Sequence, residues 1–384
     1  MPTPSPFTID IPGNALDDLH RRLDATRWPD RIPGEEWAYG TSPAWLKQLV
    51  AYWRHEYDWR KWEAALNAFP QFTVPLHGID LHFIHAPGVG PAPTPLLLSH
   101  GWPGSIVEFM QLIPLLTDPG SHGGDPADAF TVVAPSLPGY AFSYRPDQPR
   151  FGSNEMADVL HDLMTGVLGY NRYAAQGGDW GAFITSRLGY KYPQHLAGIH
   201  ITLLAIARNF THAEATDDAE RAFADELKHF LWEETGYQWI MGTKPQTLAF
   251  ALTDSPVGLA AWIVEKFRTW SDCGGELDGY LSRDALLTNI MLYWLTGAIN
   301  SSSWPYYARR HSREWVTPEG ERIMAPTGYA DFPREILNPP RSIAERMYGN
   351  IQRWTPMARG GHFAAMEEPQ ALAEDIRAFF RPLR

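Results

Sequence analysis

The chain has 384 residues, 44% of them hydrophobic, more than one ordinary domain and enough to bury a sizeable core. Its 32 basic residues against 44 acidic ones give a formal charge of −12 with no concentrated Lys/Arg block, which argues against nucleic acid as a partner. The single cysteine, Cys273, excludes an intramolecular disulfide framework, and no run of about 18 apolar residues offers a membrane span.

The first residues, Met1-Pro2-Thr3-Pro4-Ser5-Pro6, have neither the charged segment nor the apolar run of a signal peptide, so a soluble, cytoplasmic protein with no membrane partner is expected. Residues 10–70 combine helical periodicity with Trp37, Trp45, Trp53, Trp59 and Trp62. Aromatic residues at near-helical spacing bury against a neighbour, so the series reads as the packing surface of an N-terminal helical arm rather than a ligand box. Strands are expected at 72–74, 80–85, 95–99 and 130–134, and their alternation with helices predicts an α/β protein with a mostly parallel sheet. The Gly/Asp/Pro-rich loop 120–127 carries His122. One histidine among carboxylates is not a ligand set, and neither metal nor organic cofactor is expected.

The strand at 95–99 runs into His100-Gly101-Trp102-Pro103-Gly104-Ser105, a glycine-rich turn. In isolation Trp102-Pro103 reads as a rigid turn and His100 as a loop histidine with its bonds satisfied. About 75 residues on, however, stands Gly177-Gly178-Asp179-Trp180-Gly181. This is the small-x-nucleophile-x-small pattern of the α/β-hydrolase nucleophile elbow, with aspartate in the usual serine position. In that fold one oxyanion-hole N–H comes from the loop after the third strand and the other from the residue following the nucleophile, here Trp102 and Trp180. The aspartate changes the chemistry. Serine attacking saturated carbon would leave an inert ether, whereas a carboxylate leaves an ester that water can cleave at the aspartate's own carbonyl carbon.

Past the elbow, helix signals cover 182–192 and a strand 197–203, after which the pattern is helical to about residue 310. The runs 256–270 and 284–295 carry apolar residues at three- and four-residue intervals, as expected of cap helices laid over the sheet's carboxyl edge above an aromatic-lined cavity. Sheet is expected again at 323–325 and 354–358. Gly360-Gly361-His362 follows, ahead of the amphipathic run 372–380, and can turn His362 toward the elbow. The order nucleophile, acid, histidine places the acid between Asp179 and His362. Glu335 and Asp331 both fit, while Glu367 and Glu368 read as helix N-terminal charges. The chain is thus divided into an N-terminal helical arm with the first strands (1–90), a first core part (91–207), a helical cap (208–310) and a second core part (311–384).

Across nearly its whole length the chain resembles the microsomal-type epoxide hydrolases, including juvenile-hormone epoxide hydrolases and soluble microbial relatives. The stretches that carry this are 7–9, 23–28, 100–105, 177–181, 253–270, 286–294, 332–337 and 360–369. The resemblance implies Asp179 as nucleophile, Glu335 rather than Asp331 as charge-relay acid, and His362 as general base. It further implies two cap tyrosines that bind and protonate the epoxide oxygen, Tyr237 and Tyr306, with Tyr307 competing for the second role under a one-residue shift. A phenol suits that task because, with a pKa near 10, it stays protonated at neutral pH yet outdoes an alcohol as an acid. The implied reaction takes a small hydrophobic or aromatic epoxide and water to a vicinal diol, in a soluble bacterial member of the family; a homodimer is left open. Two rivals remain. A haloalkane or haloacid dehalogenase would share the aspartate and use the Trp180 indole for halide, and a retired hydrolase fold would bind a small ligand without turnover.

Overall fold

The computed structural model describes residues 2–34, 36–312 and 316–384. Its sheet is built from β1 (Ser5–Pro6), β2 (Gln71–Leu76), β3 (Ile79–Ala86), β4 (Thr94–Ser99), β5 (Phe130–Pro135), β6 (Tyr173–Gly177), β7 (Leu196–Ile201), β8 (Thr327–Asp331) and β9 (Ile351–Pro356). The order across the sheet is β1-β2-β3-β5-β4-β6-β7-β8-β9. β1, β2, β3 and β5 pair antiparallel, and every pair from β5 through β9 is parallel. The β2–β3 hairpin turns on His77 and Gly78, at φ 50° and 80°, the two positive-φ residues that match the strands' right-handed twist. β4 lies in mid-sheet because Leu96, Leu97 and Leu98 are all fully buried, as a strand covered on both faces requires.

Helices cover both faces. α1 (Gly13–Asp24), α2 (Pro43–His55) and α3 (Trp59–Asn67) form the N-terminal arm. α4 (Leu112–Thr117), α5 (Ser153–Asp162) and α6 (Asp179–Lys191) connect the central strands. Between β7 and β8 come α7 (Asp218–Glu233), α8 (Gly236–Thr243), α9 (Pro245–Asp254), α10 (Pro256–Trp270), α11 (Arg283–Thr296) and α12 (Trp304–His311). α13 (Arg341–Ala344), α14 (Ala364–Glu367) and α15 (Pro369–Phe380) complete the chain, with α15 packed on α4 and α5 on α6. Among the described residues no single helix is long and apolar enough to cross a membrane; α9 and α10 together pass on composition but are bent by 117°.

The tryptophans of the arm do pack inward: Trp53 and Trp59 are buried, while the Trp45 and Trp62 indoles donate to Asp278 and Asp284 at the two ends of the segment leading into α11. The sheet returns later than the apolar run 323–325 suggests. Ile323 makes only an isolated bridge to Tyr348; Pro326, which has no N–H to give a ladder, intervenes, and β8 starts at Thr327. β9 conversely begins at Ile351, three residues before the expected start, in register with Thr327.

After β4 the chain crosses to β5 on one side and then to β6 on the other, so the sheet has a topological switch at the carboxyl ends of β4 and β6, where such sheets bind ligands. The register Ser99↔Gly177 sets the turn after β4 beside the turn after β6.

Candidate active site

Asp179 is separated from β6 by Gly178 alone and is the first residue of α6, three residues earlier than periodicity places the helix. Its φ of +47° lies in the left-handed region, a strained conformation for a non-glycine residue that thrusts the side chain out of the turn. Two glycines make this approach feasible. A Cβ on Gly181 would stand 1.9 Å from the Ser99 carbonyl oxygen, and one on Gly101 would stand 2.2 Å from Asp179 Oδ1. With Gly101 bare, the Trp102 N–H donates to Asp179 Oδ1 at 2.7 Å. The carboxylate also sits at the positive end of α6.

The turn carrying Trp102 is held from several sides. His100 is fully buried, with Nδ1 on the Gly101 carbonyl at 3.1 Å and Nε2 accepting from the Leu137 N–H at 3.2 Å. Burial pushes its pKa down to about 4, so it is a neutral structural ring. From α11, Asn289 Nδ2 donates to the Pro103 carbonyl at 2.7 Å, Asn289 Oδ1 accepts from Ser105 Oγ at 2.7 Å, and the Tyr293 hydroxyl donates to the Gly104 carbonyl at 2.6 Å. Nothing local in the sequence marks Asn289 or Tyr293.

His362 Nε2 lies 3.4 Å from Asp179 Oδ2, the oxygen not engaged by Trp102, and its Nδ1 lies 2.5 Å from Glu335 Oε1. The His362 and Glu335 side chains are 2% and 0% exposed, so water does not screen the contact between them. Burial opposes charge on the ring, but the Glu335 and Asp179 carboxylates outweigh it and hold His362 well above its usual range. Asp331 turns elsewhere, accepting from the Trp354 indole and the Asn338 amide.

Glu367 does lie in the first turn of the four-residue α14, as a helix N-terminal charge, but its carboxylate reaches further. It accepts from the backbone N–H groups of Asp272, Gly361 and Phe363 and from the Tyr280 hydroxyl. It thereby binds the histidine loop to the segment after α10, while Glu368, just ahead of α15, pairs with Arg359.

Tyr237 of α8 and Tyr306 of α12 are both buried and meet above Asp179. The Tyr237 ring stacks on Trp102 at 5.3 Å, and Tyr306 meets Trp102, Trp180 and Tyr237 edge-on at 5.9, 4.8 and 5.6 Å. Gln238 donates to the Tyr237 oxygen at 2.8 Å, which leaves the phenolic hydrogen to donate elsewhere. Burial holds both phenols well above their ordinary pKa. Tyr307, half-buried, stacks instead on Trp304 and His311. One further carboxyl escaped the sequence: Glu108 folds back over Gly104, and burial pushes it up to about 8 against the pull of His362 and with the push of Asp179. A protonated Glu108 adds no second charge beside the aspartate. Among the described residues no group of His, Cys, Asp and Glu could hold a metal ion.

Residues 4–109 match the model of the epoxide hydrolase N terminus, and residues 94–231 that of the α/β-hydrolase fold. Epoxide hydrolase 1 of Oryctolagus cuniculus is 39% identical over 401 residues, covering 97% of this chain and 88% of that one. The chain belongs to the epoxide hydrolase family. A Stigmatella aurantiaca protein provisionally named as an epoxide hydrolase is 44% identical over 381 residues, 99% of this chain and 85% of its own. Among solved epoxide hydrolases, the juvenile hormone enzyme of Bombyx mori superposes with a TM-score of 0.85 at 31% identity, covering 100% of this chain and 95% of that one. The Aspergillus niger epoxide hydrolase gives the same score and identity, with 100% and 97% coverage. The α/β-hydrolase fold expected from the elbow is therefore shown, with its parallel sheet and flanking helices.

Proposed function

We propose that the protein hydrolyses small epoxides to vicinal diols through an ester on Asp179. The observation that carries this reading is the division of labour between the two oxygens of that carboxylate: Oδ1 is tied to the Trp102 N–H, and Oδ2 faces His362 with two buried phenols nearby.

Oδ2 attacks one oxirane carbon as its bond to the ring oxygen breaks, and Tyr237 or Tyr306 transfers a proton to that oxygen. Asp179 is now a neutral ester. His362 has lost one of its two carboxylate neighbours, so it gives up its proton, which returns to the tyrosinate left by the first step, and Nε2 becomes a base. Water gives a proton to Nε2 and adds to the Asp179 carbonyl carbon. Negative charge collects on Oδ1, where the Trp102 N–H already points and the Trp180 N–H is the second proposed donor. Collapse expels the diol and restores the carboxylate, one of whose oxygens now comes from water. The resting position of Oδ1 is also the position of the oxyanion, so this donor needs no rearrangement.

The test is to trap the ester. His362→Gln mixed with styrene oxide should gain the mass of one epoxide, mapped to the peptide containing Asp179, while Asp179→Asn gains nothing. Diol formation by His362→Gln at the wild-type rate with no adduct would overturn the scheme. The dehalogenase rival keeps one observation, the buried Trp180 indole N–H beside Tyr306. Chloride release from a haloalkane, with no diol from any epoxide, would favour it.

A further inference from the structure

The cavity beside Asp179, Tyr237 and Tyr306, of about 260 Å³, is also lined by Arg208, Arg309 and Arg310. Asp179 is the only carboxylate lining it among the described residues. Three guanidiniums around one small cavity are unexpected in a chain of formal charge −12 and in a site built for an apolar ring. Arg208 lies over the Phe230 ring at 4.9 Å and Arg310 over the Trp239 ring at 4.0 Å; neither makes an ion pair with a described residue. Arg309 lies over Phe183 at 4.8 Å, and burial, reinforced by the neighbouring Arg208, makes its charge costly. For Arg208 and Arg310 the aromatic face leaves the guanidinium edge and its N–H groups available in the ring plane.

A second, larger cavity of about 1120 Å³ also reaches Tyr237, and its charge has the opposite sense. Glu226, Glu233, Glu234, Glu265 and Glu335 line it against Lys266, Arg268 and Arg334, with Lys266 paired to Glu265 at 2.7 Å. The balance of charge therefore changes sign across Tyr237, and an anion is favoured on the arginine side.

We infer that the substrate is an epoxide carrying an anionic group, in its simplest form a carboxylate, which Arg208, Arg309 and Arg310 receive while the oxirane reaches Asp179. This rests on the reaction proposed above and specifies its substrate class, replacing a purely hydrophobic epoxide. Planar carboxylates suit the forked donors of arginine, and neutralising the ligand's charge also relieves repulsion from the Asp179 nucleophile.

The test compares terminal epoxy acids with their primary amides, from 5,6-epoxyhexanoate to 10,11-epoxyundecanoate, so that shape is kept and charge removed. For at least one chain length kcat/KM for the acid should exceed that for the amide by about tenfold, a preference that shrinks at high ionic strength. Arg208→Met and Arg310→Met, assayed separately, should each reduce the acid-to-amide ratio several-fold, mainly through KM. Using the ratio cancels any general loss of folded enzyme. Amides preferred at every length, or a ratio indifferent to salt and to both substitutions, would overturn the inference and leave the epoxide reaction standing. Absence of turnover for acids, amides and styrene oxide alike would overturn that reaction and this inference with it.

Discussion

At the scale of single residues, the proposed mechanism needs one oxygen of Asp179 held and the other free, and His362 charged or neutral at different stages. Both conditions come from neighbours rather than from the residues' intrinsic properties. In the resting enzyme two carboxylates favour the protonated imidazole; in the proposed ester only Glu335 remains. Replacing Glu335 by Gln removes that last negative charge and favours the neutral ring, so the acid limb of ester hydrolysis should move to lower pH. The plateau rate should fall at the same time by about 10-fold or more, since the ring loses its orienting acceptor. Single-turnover decay of the ester across pH measures both, and an unmoved acid limb would contradict the assigned pairing. The tyrosines separate just as clearly. Tyr306→Phe should slow ester formation by about 10²-fold, whereas Tyr307→Phe, which alters a ring stacked on Trp304 and His311, should stay within about twofold.

At the scale of elements, the candidate active centre is two turns, after β4 and β6, the first of them held by a helix that touches neither reacting atom. α11 supplies Asn289 and Tyr293 to the carbonyls of Pro103 and Gly104, which fixes the direction of the Trp102 N–H one residue earlier. Tyr293→Phe leaves the buried Gly104 carbonyl without its donor, a loss of about 1–3 kcal/mol. We expect a lower denaturation midpoint together with reduced kcat, measured by urea unfolding and steady-state assay; reduced stability with unchanged kcat would show that the turn holds its shape unaided. The turns themselves were legible in the sequence because a left-handed aspartate and bare glycines at close approaches restrict residue choice locally. Asn289 and Tyr293 act on backbone 186 and 189 positions away, and such a bond leaves no local pattern. Glu367 was read only as a helix N-terminal charge because its bonds to Asp272 and Tyr280 cross 95 and 87 positions, and Glu108 was missed because its burial is a tertiary property. The apolar run at 323–325 was misread as strand because a short buried segment has no period to identify it.

At the scale of the whole molecule, buried titratable groups with opposite responses set how stability varies with pH. His82, between Ser136 and Gln71, and His100 are buried and pushed down by burial to about 3 and about 4. Unfolded, each binds a proton below about 6.5, and folded it does not until far lower pH. Their stabilising contribution is therefore full above about 6.5 and is lost as pH falls toward 4. Glu108 has the reverse sign: pushed up to about 8, it is protonated when folded but not when unfolded between about 4.5 and 8, so stability declines as pH rises through that range. One proton of difference corresponds to about 1.4 kcal/mol per pH unit. Between pH 5 and 6, His100→Gln should thus flatten the rise of unfolding free energy with pH by about that amount, and Glu108→Gln should steepen it by about the same. Chemical denaturation at three pH values in this window reads slopes, which are insensitive to any constant destabilisation from the substitutions. Equal slopes in all three proteins would mean that His100 and Glu108 titrate alike in the folded and unfolded chains, and that the site's neutral floor beneath Asp179 is maintained by other groups.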